Sequence, residues 1–262
     1  MPEPIKTIKY IQAIADEWEN QEGLIVVETP VNLTVNGETW LTFMCTPIYQ
    51  EALAVGFLYN EGLIQDAKEI ADVRLCPEGD NVDVWLHHTL DKPVVFRRNS
   101  GCSVNVTPST GDLPISESIV KVEKTLTPSK IGKLLDQFST LQRFYRQSGG
   151  LHASALSDGE QIIFAAEDIG RNNTLDKIAG YCLMNNFQNS GGVLLTTGRI
   201  SSEMLQKSAH LHASIIVSRT AVSSMAVQLA EAWGITLVGY SRNGHFNVYT
   251  HPQRIILDHQ NK

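Results

Sequence analysis

The stretch VLLTTGRISSEMLQKSAHLHASIIVSRTAVSSMAVQLAEAWGITLVGY, residues 193–240, decides the fold. Residues 193–196, 215–218 and 236–240 are short, apolar, β-branched runs that read as buried strands. Between them, residues 202–210 and 224–233 read as helices, with Gly234 ending the second. Strand and helix in alternation imply crossover units and a largely parallel sheet.

Working outward, Asn243-Gly244 turns the chain into a strand at 246–249, which adds an antiparallel hairpin at a sheet edge. Upstream, Asn173 is predicted to cap a helix that reaches Met184. A hairpin precedes it, with strands at 151–156 and 161–166 around Asp158-Gly159. Before that, Thr127 caps and Pro128 opens a helix. Its apolar residues Ile131, Leu134, Leu135, Phe138, Leu141 and Phe144 recur at helical spacing until Gly149-Gly150.

The N-terminal part reads differently. Strands at 24–35 and 39–44 flank Asn36-Gly37, and Thr46-Pro47 is predicted to open a helix running to Asn60. Val82, Val84 and Leu86 alternate with polar residues, and 94–96 is a further short strand. Residues 107–118 are rich in Pro, Ser, Thr, Gly and Asp and read as a linker. The expected class is α/β (α+β overall), with a β-rich N-terminal domain over 1–120 and a larger domain over 121–262.

The chain has 262 residues, is 42% hydrophobic and carries a formal net charge of −7. That charge argues against a broad nucleic-acid surface, because phosphate binding usually shows a basic face. The first residues lack the apolar core of a signal peptide, and no apolar run approaches membrane-spanning length. A cytoplasmic protein with no membrane partner is expected, its four cysteines (Cys45, Cys76, Cys102 and Cys182) reduced.

Four segments near strand ends carry an arginine beside small polar or glycine residues. They surround Arg171 (168–174), Arg199 (196–202), Arg219 (218–224) and Arg242 (241–245). Ligands of open α/β sheets bind beyond the carboxyl ends of the strands. The first three segments also open helices, whose free N–H groups favour anions, and the arginine fork suits phosphate oxygens. Any one segment reads more simply as a helix cap with a surface arginine. Four together read as a pocket for a ligand with several phosphates. Neither G-x-x-x-x-G-K-[ST] nor a post-strand G-x-G-x-x-G occurs, which argues against common nucleotide folds.

Cys102 follows Arg97, Arg98 and Gly101, an electropositive setting that favours the thiolate. On these residues alone, a nucleophile and a small space-filling residue are equally good readings. Cys45 and Cys182 lie in apolar runs and read as structural, as does Cys76 before Pro77. No Cys-x-x-Cys is present, and His152-Ala153-Ser154 places serine where a zinc deaminase needs glutamate, so no zinc site is expected. His152 reads either as a pocket residue or as a hydrogen-bonded core histidine, and His245 as a ligand contact beside Arg242.

Seven stretches resemble the formate dehydrogenase accessory sulfurtransferases (FdhD-type). They are GFLYNEGLI (56–64), NSGCSVN (99–105), GGLHASAL (149–156), AEDIGRNNTLDKIAG (166–180), TTGRISSEMLQKSA (196–209), SRTAVSSMAVQLAEAWGITLVGYSR (218–242) and FNVYTHPQRI (246–255). The resemblance spans most of the chain after about Gly23, in family order. It implies a cytidine-deaminase-like, three-layer C-terminal domain without zinc, and a homodimer. It also implies a reaction: a cysteine desulfurase loads sulfur onto Cys102 as a persulfide. The carrier then passes the sulfur to a molybdenum bis(molybdopterin guanine dinucleotide) cofactor destined for formate dehydrogenase. Tyr240, Ser241, Arg242, Asn243, Gly244 and His245 match the family's cofactor-binding segment. Many members carry Cys-x-x-Cys in the loop; here Asn105 stands at the second position. A single thiol still holds a persulfide, whereas relay through a second thiol is lost.

Overall fold

The computed structural model describes residues 3–93, 96–98, 106–108, 124–187, 192–242 and 244–258, and of 96–98 and 106–108 only the backbone path. The chain opens with an antiparallel hairpin, β1 (Ile5–Ile14) and β2 (Glu17–Val26). The next strands are β3 (Thr29–Val35) and β4 (Glu38–Cys45), followed by helix α1 (Gln50–Asn60) and strands β5 (Ile70–Leu75) and β6 (Asn81–Leu86). Short β7 (Phe96–Arg98) and β8 (Val106–Pro108) pair with each other. Helices α2 (Pro128–Leu141) and α3 (Arg143–Ser148) lead into β9 (His152–Ser157), β10 (Ile162–Asp168) and α4 (Arg171–Met184). Alternation then gives β11 (Val193–Thr196), α5 (Ser202–His210), β12 (Ile215–Ser218), α6 (Ser224–Ala232), β13 (Thr236–Arg242) and β14 (His245–Thr250).

The six-stranded sheet has the order β10-β9-β11-β12-β13-β14. The β11–β12 and β12–β13 pairs are parallel, as the crossover pattern requires, and an antiparallel hairpin closes each edge. Strand alternation sends Leu194, Ile216 and Leu237 to one face, where they meet α4, α5 and α6. Leu195, Val217 and Val238 go to the other face and pack on Ile131, Leu134 and Phe138 of α2. The result is three layers, helix on sheet on helix.

The four-stranded sheet, order β4-β3-β6-β5, packs on α1 around Leu33, Phe43, Leu53 and Phe57. Helices α1 and α4 then cross in direct backbone contact. A Cβ added to Gly56 would lie 1.7 Å from the Asp176 carbonyl oxygen, and one added to Gly180 would lie 1.9 Å from that of Ala52. Only glycine allows this approach. Among the described residues, no helix is long and apolar enough to cross a membrane.

Several boundaries differ from those read in the sequence, each for a local reason. Helix α1 starts at Gln50 rather than at Thr46-Pro47, behind Tyr49 at φ 53°. Thr46 is occupied elsewhere: its N–H donates to Asp168 Oδ2 and its Oγ1 accepts from the Ile169 N–H. Helix α4 begins at Arg171, not after Asn173. Asn173 lies inside its first turn, where the side-chain amide donates to the Met44 carbonyl and to Asp168 Oδ1. The helix foreseen to Phe144 is divided, because the Glu167 carboxylate accepts the N–H groups of Phe144 and Tyr145 and so starts α3. The run 24–35 is also divided, between β2 and β3.

Candidate functional site

The carboxyl ends of β11, β12 and β13 are followed by loops that bond to one another. The Ser218 hydroxyl donates to the Gly198 carbonyl at 2.7 Å, and Arg219 N–H to the Thr196 carbonyl at 3.1 Å. Ile200 N–H donates to the Ala221 carbonyl, and Tyr240 N–H to the Thr220 carbonyl. Ser201 and Ser223 cap α5 and α6 through their hydroxyls. The polar residues of these segments thus do cap helices, and they also tie three loops into one rigid rim.

Arginines project from that rim. Arg242 Nε donates to the Arg219 carbonyl at 2.9 Å, which fixes the two segments side by side. Arg219 donates to Gln142 Oε1 and lies over the Phe138 ring, 5.8 Å from its centroid. The stem of Arg171 packs against Gly198, where an added Cβ would meet it at 3.1 Å. Arg199 is exposed.

Two adjoining cavities, of about 350 and 690 Å³, share Tyr145, Arg219 and Arg242 in their walls. The smaller also has Gly149, Gly150, His152, Thr197 and Thr220, and the larger has Gly132, Asp136, Ser139, Ser241 and Gly244. Burial lowers the pKa of His152; Arg171 lowers it further, Asp168 opposes this, and Arg199 lowers it again. Ile169 and Thr197 bring the other two segments into the wall that Arg219 and Arg242 help to form, while Arg171 and Arg199 themselves line neither cavity. The structure brings all four arginine segments to one place.

The segment 240–245 is divided in its placement. Arg242, Ser241 and Gly244 face the larger cavity, with Ser241 buried. Tyr240 is exposed at φ 52°, and His245 is exposed opposite Arg242 in the β13–β14 ladder; neither lines these two cavities. Asn243 lies outside the described residues, as does Cys102. In sequence Cys102 falls between β7 and β8, the strand pair that brackets it.

The other cysteines are placed as structural residues. Burial pushes the Cys45 thiol up to about 12 and the Cys182 thiol up to about 11, so neither offers a thiolate near neutrality. Cys76 Sγ donates to Asp80 Oδ1 and accepts from the Asn81 N–H in a turn. The buried Ser154 hydroxyl bonds to the Thr174 hydroxyl at 2.7 Å and donates to Thr196 Oγ1 at 3.0 Å.

Tyr145, Asp136 and Ser139 were not singled out from sequence. A signal existed: Gly132, Asp136 and Ser139 recur at helical spacing on the face of α2 away from Ile131, Leu134 and Phe138.

The FdhD/NarQ family model matches residues 26–256. A sulfur carrier protein FdhD from Bacillus subtilis (strain 168) is 35% identical over 260 residues, covering 94% of this chain and 98% of that one. The protein of the same name from Staphylococcus aureus (strain MRSA252) is 36% identical over 251 residues, covering 92% of each. The crystal structure of a protein described as a formate dehydrogenase accessory protein, from Desulfotalea psychrophila, superposes with a TM-score of 0.81 at 26% identity. It covers 97% of this chain and 100% of that one. With a family model spanning nearly the whole chain and relatives aligned over 92% or more of their length, this chain belongs to the FdhD/NarQ family.

Proposed function

We propose that this chain is a sulfur carrier in formate dehydrogenase maturation. In this reading, the Cys102 thiolate attacks the outer sulfur of a persulfide on a cysteine desulfurase. The desulfurase thiol leaves, and Cys102 holds the sulfur as its own persulfide. The substrate that receives the sulfur is molybdenum bis(molybdopterin guanine dinucleotide), delivered afterwards to the formate dehydrogenase catalytic subunit.

The observation that carries this proposal is the meeting of the four arginine-bearing segments at one pair of cavities, with Arg219 and Arg242 in both walls and Ile169 and Thr197 of the other two segments in the smaller one. The substrate has two pyrophosphate groups, and guanidinium forks suit their oxygens in geometry and in charge. Of the segment 240–245, Ser241, Arg242 and Gly244 line the larger cavity, which supports this reading. The names of the aligned relatives support the carrier role. The deaminase-like description of the C-terminal half belongs to the same proposal. It is supported by the three layers and by Ser154, a residue unable to shuttle the proton that deamination requires. The homodimer and the cytoplasmic location are part of it too.

The test is mass spectrometry of the Cys102 peptide after incubation with a desulfurase and cysteine. One added sulfur is expected, absent in Cys102→Ser, together with loss of formate dehydrogenase maturation in that variant. A second reading rests on Asn105, which leaves one thiol where relay would use two: the chain would carry the substrate without sulfur chemistry. An unmodified Cys102 and normal maturation with Cys102→Ser would favour it.

A further inference from the structure

Strands β1 and β2 form a sheet of their own, and among the described residues no strand pairs with either outer edge. At the base of this ribbon Val26 packs against Gly150, just after α3. Beyond the base, every residue from 9 to 20 is exposed. The register puts Ile11 and Trp18 on one face and Tyr10 and Ile14 on the other, and all four are exposed. A two-stranded ribbon is marginal by itself, and large apolar side chains on both faces mark it for a partner that clasps it.

The same chain holds a groove that suits such a ribbon. Strand β10 ends the six-stranded sheet, and among the described residues no strand pairs with its outer edge. Along it runs a groove of about 610 Å³, walled by Ile163 and Phe164 of β10, by Ile48 and Tyr49 before α1, and by Leu141 and Phe144 of α2 and α3. Arg143 stands in the same wall, and Arg146 follows one turn along α3; both are exposed, and neither forms an ion pair among the described residues. The turn of the ribbon carries the opposite charge, with Asp16, Glu17 and Glu19 exposed. The groove has two acids of its own. Glu167 is taken up by the N–H groups of Phe144 and Tyr145, and Glu51 lies at the start of α1.

We propose that the β1–β2 ribbon of one copy of this chain lies in the β10 groove of a second copy, which returns its own ribbon in the same way. The apolar side chains of the ribbon fill the groove, and its acidic turn meets Arg143. A reciprocal exchange closes about a two-fold axis and stops at two chains. The six pairs from Lys9–Glu22 to Ile14–Glu17 span about 20 Å by 10 Å. Counted over both faces, two ribbons and the walls they cover remove on the order of 1,600 Å² from water, the size of a standard stable interface. Helix α3 places Phe144 in the groove and Tyr145 in both anion cavities, so the partner's ribbon braces a wall of the anion site. This inference rests on the homodimer of the proposed function and gives it a surface; it does not depend on the sulfur chemistry.

Sedimentation velocity of the full chain over a range of concentrations reads the assembly, and hydrogen–deuterium exchange reads the surface. The wild type should form a dimer, and exchange at residues 163–165 should slow as the dimer fills. Trp18→Ser and Ile11→Ser alter side chains that are exposed in the single chain, so the fold should stand. Each should raise the dimer dissociation constant by about 30-fold or more and release residues 163–165. Arg143→Glu should weaken the dimer from the groove side, whereas Trp85→Ser, exposed on β6, should not. A chain that stays monomeric at every concentration overturns the inference and the homodimer together. A dimer indifferent to Trp18→Ser and Ile11→Ser, or one whose loss leaves exchange at 163–165 unchanged, overturns the inference and leaves the homodimer to another surface. Growth beyond two chains overturns the closed exchange.

Discussion

Lys177 Nζ lies 2.5 Å from Asp168 Oδ2, and neither side chain reaches solvent. The same ammonium donates to the carbonyls of Thr46 and Glu167, and the same carboxylate accepts from the N–H groups of Thr46 and Gly170. Both ions are thus fully bonded, as burial of charge demands. Because Thr46 follows β4 directly, this network ties the four-stranded sheet to the entrance of α4.

Loss of one partner leaves the other buried and unpaired. Lys177→Met and Asp168→Asn should each destabilise the fold by about 3–5 kcal/mol in chemical denaturation. The double variant Asp168→Asn, Lys177→Met should lose clearly less than the sum of the single ones. Additive losses would mean that the two groups do not act as a pair.

The crossing of α1 and α4 makes a second prediction. At Gly56 and Gly180 an added methyl would overlap carbonyl groups of the facing helix, and backbone cannot yield as a side-chain end does. Gly56→Ala and Gly180→Ala should each cost at least about 3 kcal/mol. Gly62→Ala meets nothing within 4 Å, but its φ of 70° makes it a strain-only control with a cost of about 1–2 kcal/mol. A helix contact that tolerates both alanines at no cost would contradict the close packing.

Glu61 provides a pH signature. Burial raises its pKa to about 7, against the opposing pull of Lys207, with Asp176 and Glu203 adding to the rise. In the unfolded chain it ionises near its ordinary value of 4.5. Between these values the folded state holds a proton that the unfolded state has released, so stability falls as pH rises from about 4.5 to 7. Above 7 the full penalty, on the order of 3 kcal/mol, is present. His152 and His210 have lowered values and act in the opposite direction, losing stability as pH falls below 6.5, so the wild-type profile mixes both. The difference between wild type and Glu61→Gln isolates the carboxyl. The variant should gain relative stability at pH 8, and the gain should shrink steadily towards pH 5. A difference independent of pH would rule out this titration.

Much of this architecture can be read locally. The alternation over 193–240 signals a parallel sheet because each strand is buried on both faces and each helix carries its own cap. Ser201 and Ser223 mark two helix starts directly. What local reading misses depends on partners distant in sequence. Thr46 and Asn173 have the chemistry of caps, yet both bond across to Asp168 or its neighbours. Gly56 looks like an ordinary weak point in a helix until Asp176 is seen against it. In the hairpin β1–β2, Ile11 and Trp18 are 62% and 76% exposed, so burial leaves no pattern of the kind that reveals a strand. The site follows the same division. Its arginines are legible because they recur at strand ends, whereas the helical spacing of Asp136 and Ser139 gains meaning only once α2 is seen to line the larger cavity.

The cavities make the last prediction, which uses guanosine diphosphate as the smallest probe carrying a pyrophosphate. Arg219 and Arg242 stand in both cavity walls, and the carbonyl of one holds the guanidinium of the other. Charge-assisted bonds to phosphate contribute about 1.5–3 kcal/mol each, so Arg219→Ala and Arg242→Ala should each weaken binding by roughly 10- to 100-fold. Arg242→Lys keeps the charge but loses both the fork and the bond to the Arg219 carbonyl, so its loss should fall between wild type and alanine. Arg74, exposed on β5 and paired with Asp72, serves as the control and should change nothing. The arginine effects should shrink in high salt, since these guanidinium groups remain open to water. Equal affinities for Arg219→Ala, Arg242→Ala and Arg74→Ala would leave the convergence of arginines without a role in binding. The cavity would then be a consequence of capping geometry alone.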